Sequence, residues 1–218
     1  MNKNKWINTF KNAGKLDKFS AIIEHCTDKN VLDVGCVGQD KHIDNDAWLH
    51  GRIKKVAKKL TGADIEPTGI KQLRENGYEV FTPEELKDVD AKYDVIVMGD
   101  VIEHVSDPGQ FLSFYAQFLK EDGQMIICTP NTFGIRYIIE IFLYGRSGTN
   151  EEHTMMFDPY VLLELFSRLN LEPKKFFWLK EYRKGGNLKQ KTVIALSTFY
   201  IFFRRYYNPN FMFIVSKK

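Results

Sequence analysis

VLDVGCVGQD, residues 31–40, is the stretch on which the fold turns. Val31, Leu32 and Val34 flank Asp33, and Gly35 closes the run. A short, nearly continuous apolar segment of this kind predicts a strand over Val31–Gly35, covered on both faces. Gly35 lets backbone approach a ligand with no side chain in the way, and Gly38 permits a tight turn. Asp33 can accept hydrogen bonds from loop amides or from a cationic ligand group. Taken alone, the segment reads equally well as an ordinary strand-to-helix turn.

Outward from this stretch, short apolar runs alternate with longer helical patterns, which predicts a parallel α/β sheet. Further strands are expected at Leu60–Ile65, Tyr78–Phe81, Tyr93–Met98, Gln124–Thr129, Lys175–Leu179 and Phe211–Ser216, seven in all. Between them, helices are expected over Asp17–Cys26, over Ala47–Lys59 with Asp46 as its cap, over Pro108–Leu119 behind Asp107, and over Pro159–Leu169 behind Asp158. Two stretches break the alternation. Residues 132–152 hold FGIRYIIEIFLYG and a polar loop, and residues 185–210 hold a loop and an aromatic-rich helix. Both read as roof insertions on one domain spanning 1–218.

The 218 residues carry 31 basic and 28 acidic side chains, unevenly spread. Residues 1–30 hold six basic and three acidic groups, residues 31–170 hold 14 and 23, and residues 171–218 hold 11 and two. An acidic body therefore ends in a basic tail, which also carries 12 of the 30 aromatics. Three widely spaced cysteines, Cys26, Cys36 and Cys128, make neither a disulfide framework nor a zinc pattern, and small buried thiols in a reducing compartment are expected. The N-terminus lacks an apolar signal core, and the run Val193–Phe203 is about half a membrane span. A cytoplasmic protein is expected, with membrane-peripheral contact open to its tail.

The second strand narrows the chemistry. LTGADIEP, residues 60–67, puts Asp64 at a strand end about 30 residues after the glycine turn, where a carboxylate can take both hydroxyls of a ribose. GCVGQD does not supply the G-x-G-x-x-G of a dehydrogenase, and no G-K-S or G-K-T of a phosphate loop exists. A nucleoside without a pyrophosphate fits better.

VLDVGCVGQD, TGADIEP and YDVIVMGDVIEHVSDPGQFLSFYAQFLKEDGQMIICTPN together resemble successive motifs of class I S-adenosylmethionine-dependent methyltransferases, nearest the small-molecule branch of quinone-biosynthesis O-methyltransferases. EEHTMMFDPYVLLELFSRLNLEP is similar to the segment after that branch's fifth strand. The resemblance covers roughly residues 30–180. It implies a Rossmann-like seven-stranded sheet in order 3-2-1-4-5-7-6, the last strand antiparallel, with helices on both faces, and S-adenosyl-L-methionine as cofactor. It further implies that Asp33, Gly35, Cys36 and Gly38 cradle the methionine part, Asp64 holds the ribose, Thr82, Pro83 and Glu84 lie beside the adenine, and Gly99, Asp100 and Val101 border methionine and acceptor. The chain departs from the family's G-C-G-x-G turn at Val37 and Gln39, and Thr82 stands where the family often has aspartate.

Methyl transfer to a hydroxyl needs its proton removed, a task suited to histidine near neutral pH. His104, after the fourth strand, and His153, in the polar loop before the Asp158 helix, are the catalytic candidates. Each also reads as a loop-fixing residue. Asn131 and Tyr137 join Asp100 as acceptor-side candidates, while His25 and His50 read as exposed or helix-packing residues. Asp40, His42, Asp44 and Asp46 alternate as a metal loop could, but Asn45 and Gly51 stand where a calcium loop needs glycine and glutamate, so no metal is expected. O-methylation of a small molecule, lipid or envelope glycan precursor is the leading function. A non-catalytic binding protein with a degraded pocket and a nucleotide-dependent oxidoreductase are the alternatives. Titrations with S-adenosylmethionine and NADH, then single-turnover methyl transfer, separate the three. The WLHGRI segment after an altered glycine turn points, by resemblance, toward envelope chemistry. The exposed side expected of the tail helix is open to the 135–144 roof helix, a homodimer mate or an anionic lipid surface; nucleic acid is not expected, since no RNA module is present.

Overall fold

The computed structural model describes residues 3–38, 45–180 and 188–218. In chain order the elements are α1 (Lys3–Asn12), β1 (Lys15–Leu16), α2 (Lys18–Cys26), β2 (Asn30–Val34), α3 (Leu49–Lys54), β3 (Lys59–Ala63), α4 (Pro67–Glu75), β4 (Val80–Phe81), α5 (Pro83–Leu86), β5 (Tyr93–Gly99), α6 (Pro108–Ala116), β6 (Leu119–Pro130), α7 (Ile135–Tyr144), α8 (Pro159–Arg168), β7 (Leu171–Leu179), α9 (Leu188–Phe203) and β8 (Asn210–Lys217). Short 3₁₀ turns lie at Ile102–His104 and Arg205–Tyr207.

The strands form one sheet in the order β1-β7-β8-β6-β5-β2-β3-β4. The expectation of seven strands is thus corrected to eight, and the order differs by an added edge strand. Lys15 and Leu16 pair in parallel with Trp178 and Leu179 beyond β7. Two residues carry no periodic signal of their own, and only the distant partner makes them a strand. β8 runs antiparallel to both β6 and β7.

Alternation in the central strands sends side chains to two cores. Leu32 and Val34 of β2, with Ile96 and Met98 of β5, pack under α1, α6 and α8. Val31, Val95 and Val97 face the other way, against α2 and α3. β2 and β5 are therefore buried on both faces, as their apolar runs predict. The first core is rich in aromatics, and Trp178 at its centre donates from Nε1 to the Phe10 carbonyl at 2.8 Å.

Several boundaries differ from the sequence reading. The helix expected over Ala47–Lys59 is only α3, because Lys58 and Lys59 donate to the Lys29 carbonyl and draw the chain into β3. Asp46 does not cap it; Trp48 precedes it without a side-chain cap bond, and Asp46 instead engages Arg52 and Lys55. The helix expected to Leu119 ends at Ala116, since Leu119 pairs with Tyr93. Asp17, Asp107 and Asp158 do cap α2, α6 and α8, each such cap contributing about 1 kcal/mol.

α7 occupies the first roof insertion and packs against α9 of the second. Both still expose apolar side chains, including Ile141 and Phe142 on α7 and Leu196 and Phe199 on α9. The side chains of Lys189, Val193, Ile194, Phe202 and Phe203, singled out in the tail reading, lie outside the described residues, as do Gln39, Asp40, His42 and Asp44. No helix among the described residues is long and apolar enough to cross a membrane.

Candidate active site

Strands β2, β3 and β5 run parallel, so their carboxyl ends meet at one edge. The chain leaves β2 toward β3 on one side, while β5 flanks β2 on the other. The sheet order reverses here, where open α/β sheets bind ligands. A cleft of about 1250 Å³ opens at this edge. It is roomier than the usual 300–1,000 Å³ pocket and has space for two ligands side by side.

The glycine turn forms one wall. Gly35 has φ +76°, and a Cβ there would lie 2.5 Å from Val101 Cγ2, so both conformation and space require glycine. Asp64 braces the turn from β3: its Oδ2 accepts from the Val37 amide at 2.8 Å, and its Oδ1 accepts from Ile65 and Glu66 at 2.8 and 3.0 Å. Of about four acceptor directions on a carboxylate, one remains for a ligand. Val37, which departs from the family turn, is buried beside Ile70 and Leu73. It packs over Gly69, where a Cβ would meet its methyl at 2.3 Å. The larger side chain is thus housed by a missing one on α4. Below the turn, His50 donates from Nδ1 to Asp33 Oδ2 at 2.9 Å, both groups buried. Asp33 is therefore committed to His50, and His50 is a packing residue as read from sequence.

The opposite wall is built from the end of β5 and the 3₁₀ turn. Asp100 adopts a left-handed conformation, φ +63°, which costs a non-glycine residue about 1 kcal/mol or more. The ion pair between Asp100 and Lys18 of α2 holds it there. Burial alone would depress the Lys18 ammonium, but the carboxylate of Asp100, with Cys128 and Glu103 beyond it, outweighs burial and raises it. Next in the turn, Glu103 is buried and accepts from Thr129 Oγ1 at 2.9 Å through Oε2. Burial, and then the charge of Asp100, push the Glu103 carboxyl up to about 8. His104 and His153 stand edge to face with ring centroids 4.8 Å apart. Burial, and then the neighbouring His104, lower His153.

Of the residues expected from sequence, Asp33, Gly35, Cys36, Gly38, Asp64, Pro83, Glu84, Gly99, Asp100, Val101, His104 and His153 all line the cleft. Thr82, Asn131 and Tyr137 lie outside its lining. Thr82 closes a capping box with Glu85 at the head of α5. Asn131 donates from Nδ2 to the carbonyls of Tyr206 and Asn208, each at 2.8 Å, tying β6 to the following turn. Tyr137 is buried under the Arg136 guanidinium. Among the described residues, α7 and α9 contribute nothing to the lining; the roof reaches it only through Asn150 and Glu152, with His153 just past the roof segment. Lys18, Glu103 and Ile65 were not foreseen. Glu103 lies within the quoted EHV motif, and Ile65 is the residue after Asp64, so position alone could have flagged both. Lys18, 82 residues from Asp100, carries no local signal.

The fold and the cleft define an α/β protein with an acidic pocket at the carboxyl edge of its sheet. Residues 11–174 match a family described as methyltransferase domain. The chain belongs to this methyltransferase family, and its cofactor is S-adenosyl-L-methionine. It is 32% identical over 122 residues to the ubiquinone biosynthesis O-methyltransferase of Salmonella paratyphi A, covering 52% of this chain and 47% of that one. It is 30% identical over 153 residues to that of Brucella ovis, covering 64% and 58%. The chain thus spans about half the length of the curated relatives it matches. The fold is shared with a SAM-dependent methyltransferase from Archaeoglobus fulgidus, with a TM-score of 0.57 at 19% identity over 98% of this chain and 90% of that one. A TehB-like SAM-dependent methyltransferase from Corynebacterium glutamicum aligns with a TM-score of 0.56 at 15% identity, over 99% and 95%.

The residues present suit this cofactor. Eight carboxylates and two lysines line the cleft among the described residues, a balance that favours a sulfonium cation and an ammonium group. The protein does not have to neutralise a polyanion, as a pyrophosphate site would.

Proposed function

We propose that the enzyme methylates a hydroxyl oxygen on a small acceptor with an apolar body. The observation that carries this reading is the His104–His153 pair, edge to face in the lining of the cleft. The O-methyltransferase names of the curated relatives agree with it. When bound, S-adenosylmethionine supplies a methyl group on a positively charged sulfur.

The chain's own residues do the rest. Asp64 takes a ribose hydroxyl with its free acceptor direction, and Ile65, Pro83 and Glu84 flank the adenine. Gly35, Cys36 and Gly38 give the methionine part close approach to backbone, and Lys18 offers its ammonium to the α-carboxylate. Gly99, Asp100 and Val101 separate donor from acceptor. Phe111 and Phe114 of α6 supply apolar wall to the acceptor. His104 and His153 activate its hydroxyl, and the remaining barrier falls through alignment of the reacting atoms. The departures at Val37 and Thr82 leave this scheme intact, since one is packed against Gly69 and the other caps α5.

Incubating the protein with radiolabelled S-adenosylmethionine and fractionated cell extract tests the acceptor class. Label in a small molecule, as an ether stable to mild base, supports the reading. Label in lipid or glycan fractions redirects it within O-methylation, and label only in protein or RNA overturns it.

A further inference from the structure

His50, on the short helix α3, is 1% exposed beneath the glycine turn. Its ring packs against those of Trp48 and Tyr78, with centroids 5.3 and 5.6 Å away. Trp48 in turn donates from Nε1 to the Cys36 carbonyl at 2.8 Å, which ties the start of α3 to the turn. Gly62 of β3 makes room for the ring: a Cβ there would lie 3.1 Å from His50 Cε1 and 2.6 Å from Cys36 Sγ. Packing alone needs neither imidazole nitrogen. Yet Nδ1 bonds Asp33, and Nε2 is buried without a partner among the described residues. A phenylalanine would fill the same space and leave no polar atom unpaired. What the histidine adds is its one bond to Asp33.

Asp33 shows what that bond is for. It is 2% exposed, and no lysine or arginine pairs with it among the described residues. His50 takes Oδ2, while Oδ1 accepts from no group among them. Asp33 nonetheless lines the cleft beside Gly35 and Cys36. Its charge acts on its surroundings: burial, and then Asp33, push the Cys26 thiol up to about 12. A buried carboxylate with one free oxygen at a ligand cleft calls for a cation. The methionine part of the methyl donor brings one, its α-ammonium.

We propose that His50 is a positioning residue for the methyl donor. Its Nδ1–H fixes the plane of the Asp33 carboxylate, so that Oδ1 is held for the donor's α-ammonium. With Trp48 and Gly62 confining the imidazole, the carboxylate is set before the ligand arrives, and little ordering is left for binding to do. His50 acts through Asp33, not on the reacting atoms. This rests on S-adenosyl-L-methionine as the cofactor and is independent of whether the acceptor atom is oxygen.

Calorimetry on the full chain with two ligands tests this. S-adenosylhomocysteine carries the ammonium, and 5′-methylthioadenosine lacks the whole amino-acid part. Asp33→Asn should weaken S-adenosylhomocysteine about ten- to a hundredfold, and His50→Phe, which keeps a ring but no donor, about three- to tenfold. His50→Asn, whose amide can replace Nδ1–H, should stay within about twofold of the wild type. Binding of 5′-methylthioadenosine should move by less than about twofold in all three. A His50→Phe loss shared equally by both ligands marks a purely structural role and overturns the proposal, as does unchanged S-adenosylhomocysteine affinity. Where a variant does not fold, NMR on the wild type decides. The Nδ1 proton of the histidine in contact with Trp48 and Tyr78 should be protected from exchange. It should shift with S-adenosylhomocysteine and not with 5′-methylthioadenosine. A rapidly exchanging proton, or equal shifts with both ligands, overturns the proposal. A wild type that binds neither ligand sinks the cofactor assignment and this proposal with it, whereas one that binds both with equal affinity sinks only the role given to Asp33 and His50.

Discussion

The two walls of the cleft satisfy their polar groups to different degrees. On the β2–β3 wall, Asp64 serves three backbone amides and Asp33 is matched to His50, whose Nε2 is the one buried polar atom of that wall without a partner among the described residues. On the β5–β6 wall, Asp100 sits in a strained conformation, Glu103 Oε1 and His153 Nδ1 have no partner among the described residues, and two imidazoles crowd together. A wall whose groups are bonded to one another is preorganised and holds its ligand with little rearrangement. A wall with polar groups left over is arranged for something still to arrive. The first suits a cofactor bound the same way in every turnover, the second the reacting acceptor.

The contrast predicts that damage to the acceptor wall appears in rate, and damage to the cofactor wall in affinity. The largest effect belongs to His104→Gln and His153→Gln, each expected to slow turnover by about 10²–10⁴ with cofactor affinity nearly unchanged. Steady-state kinetics beside calorimetry reads both quantities. Equal losses in each would erase the distinction between the walls.

Next in size is Asp64→Ala. It removes a charge-assisted bond worth about 1.5–3 kcal/mol, so S-adenosylhomocysteine affinity should fall ten- to a hundredfold. Loss of the amide brace on the turn adds to this. Turnover at saturating cofactor should change far less.

These two variants also mark how far the sequence could be read. Residues 31–35 and 93–98 are apolar because both their faces are buried, so the central strands announce themselves, and Gly35 and Asp64 sit at strand ends that pattern alone locates. Lys18, β1 and the His104–His153 pairing are different. Each depends on a partner brought near only by the folded chain, Trp178 for Lys15 and Asp100 for Lys18. Thr82 carries a local ambiguity: T-P-E-E reads equally as an adenine contact or as a helix start, and in the structure it forms a capping box with Glu85.

Thr82→Ala sharpens that point. It should cost about 1 kcal/mol of stability, read as a shift in urea midpoint, while cofactor affinity stays constant. A clear loss of affinity would return Thr82 to the cofactor wall. The smallest effect is expected on the roof, at Phe142, which is 88% exposed. Phe142→Ser should change stability by no more than about 0.5 kcal/mol. A larger loss would mean that this side chain is covered, and would recast α7 as part of an interface.

The central claim, that the braced β2–β3 edge holds the methyl donor, is most directly tested by titrating S-adenosylhomocysteine into the wild-type chain in a calorimeter. The account predicts saturable binding of one molecule per chain, weakened ten- to a hundredfold by Asp64→Ala. A folded wild type that shows no heat of binding at millimolar ligand, or one whose affinity ignores Asp64, would contradict it.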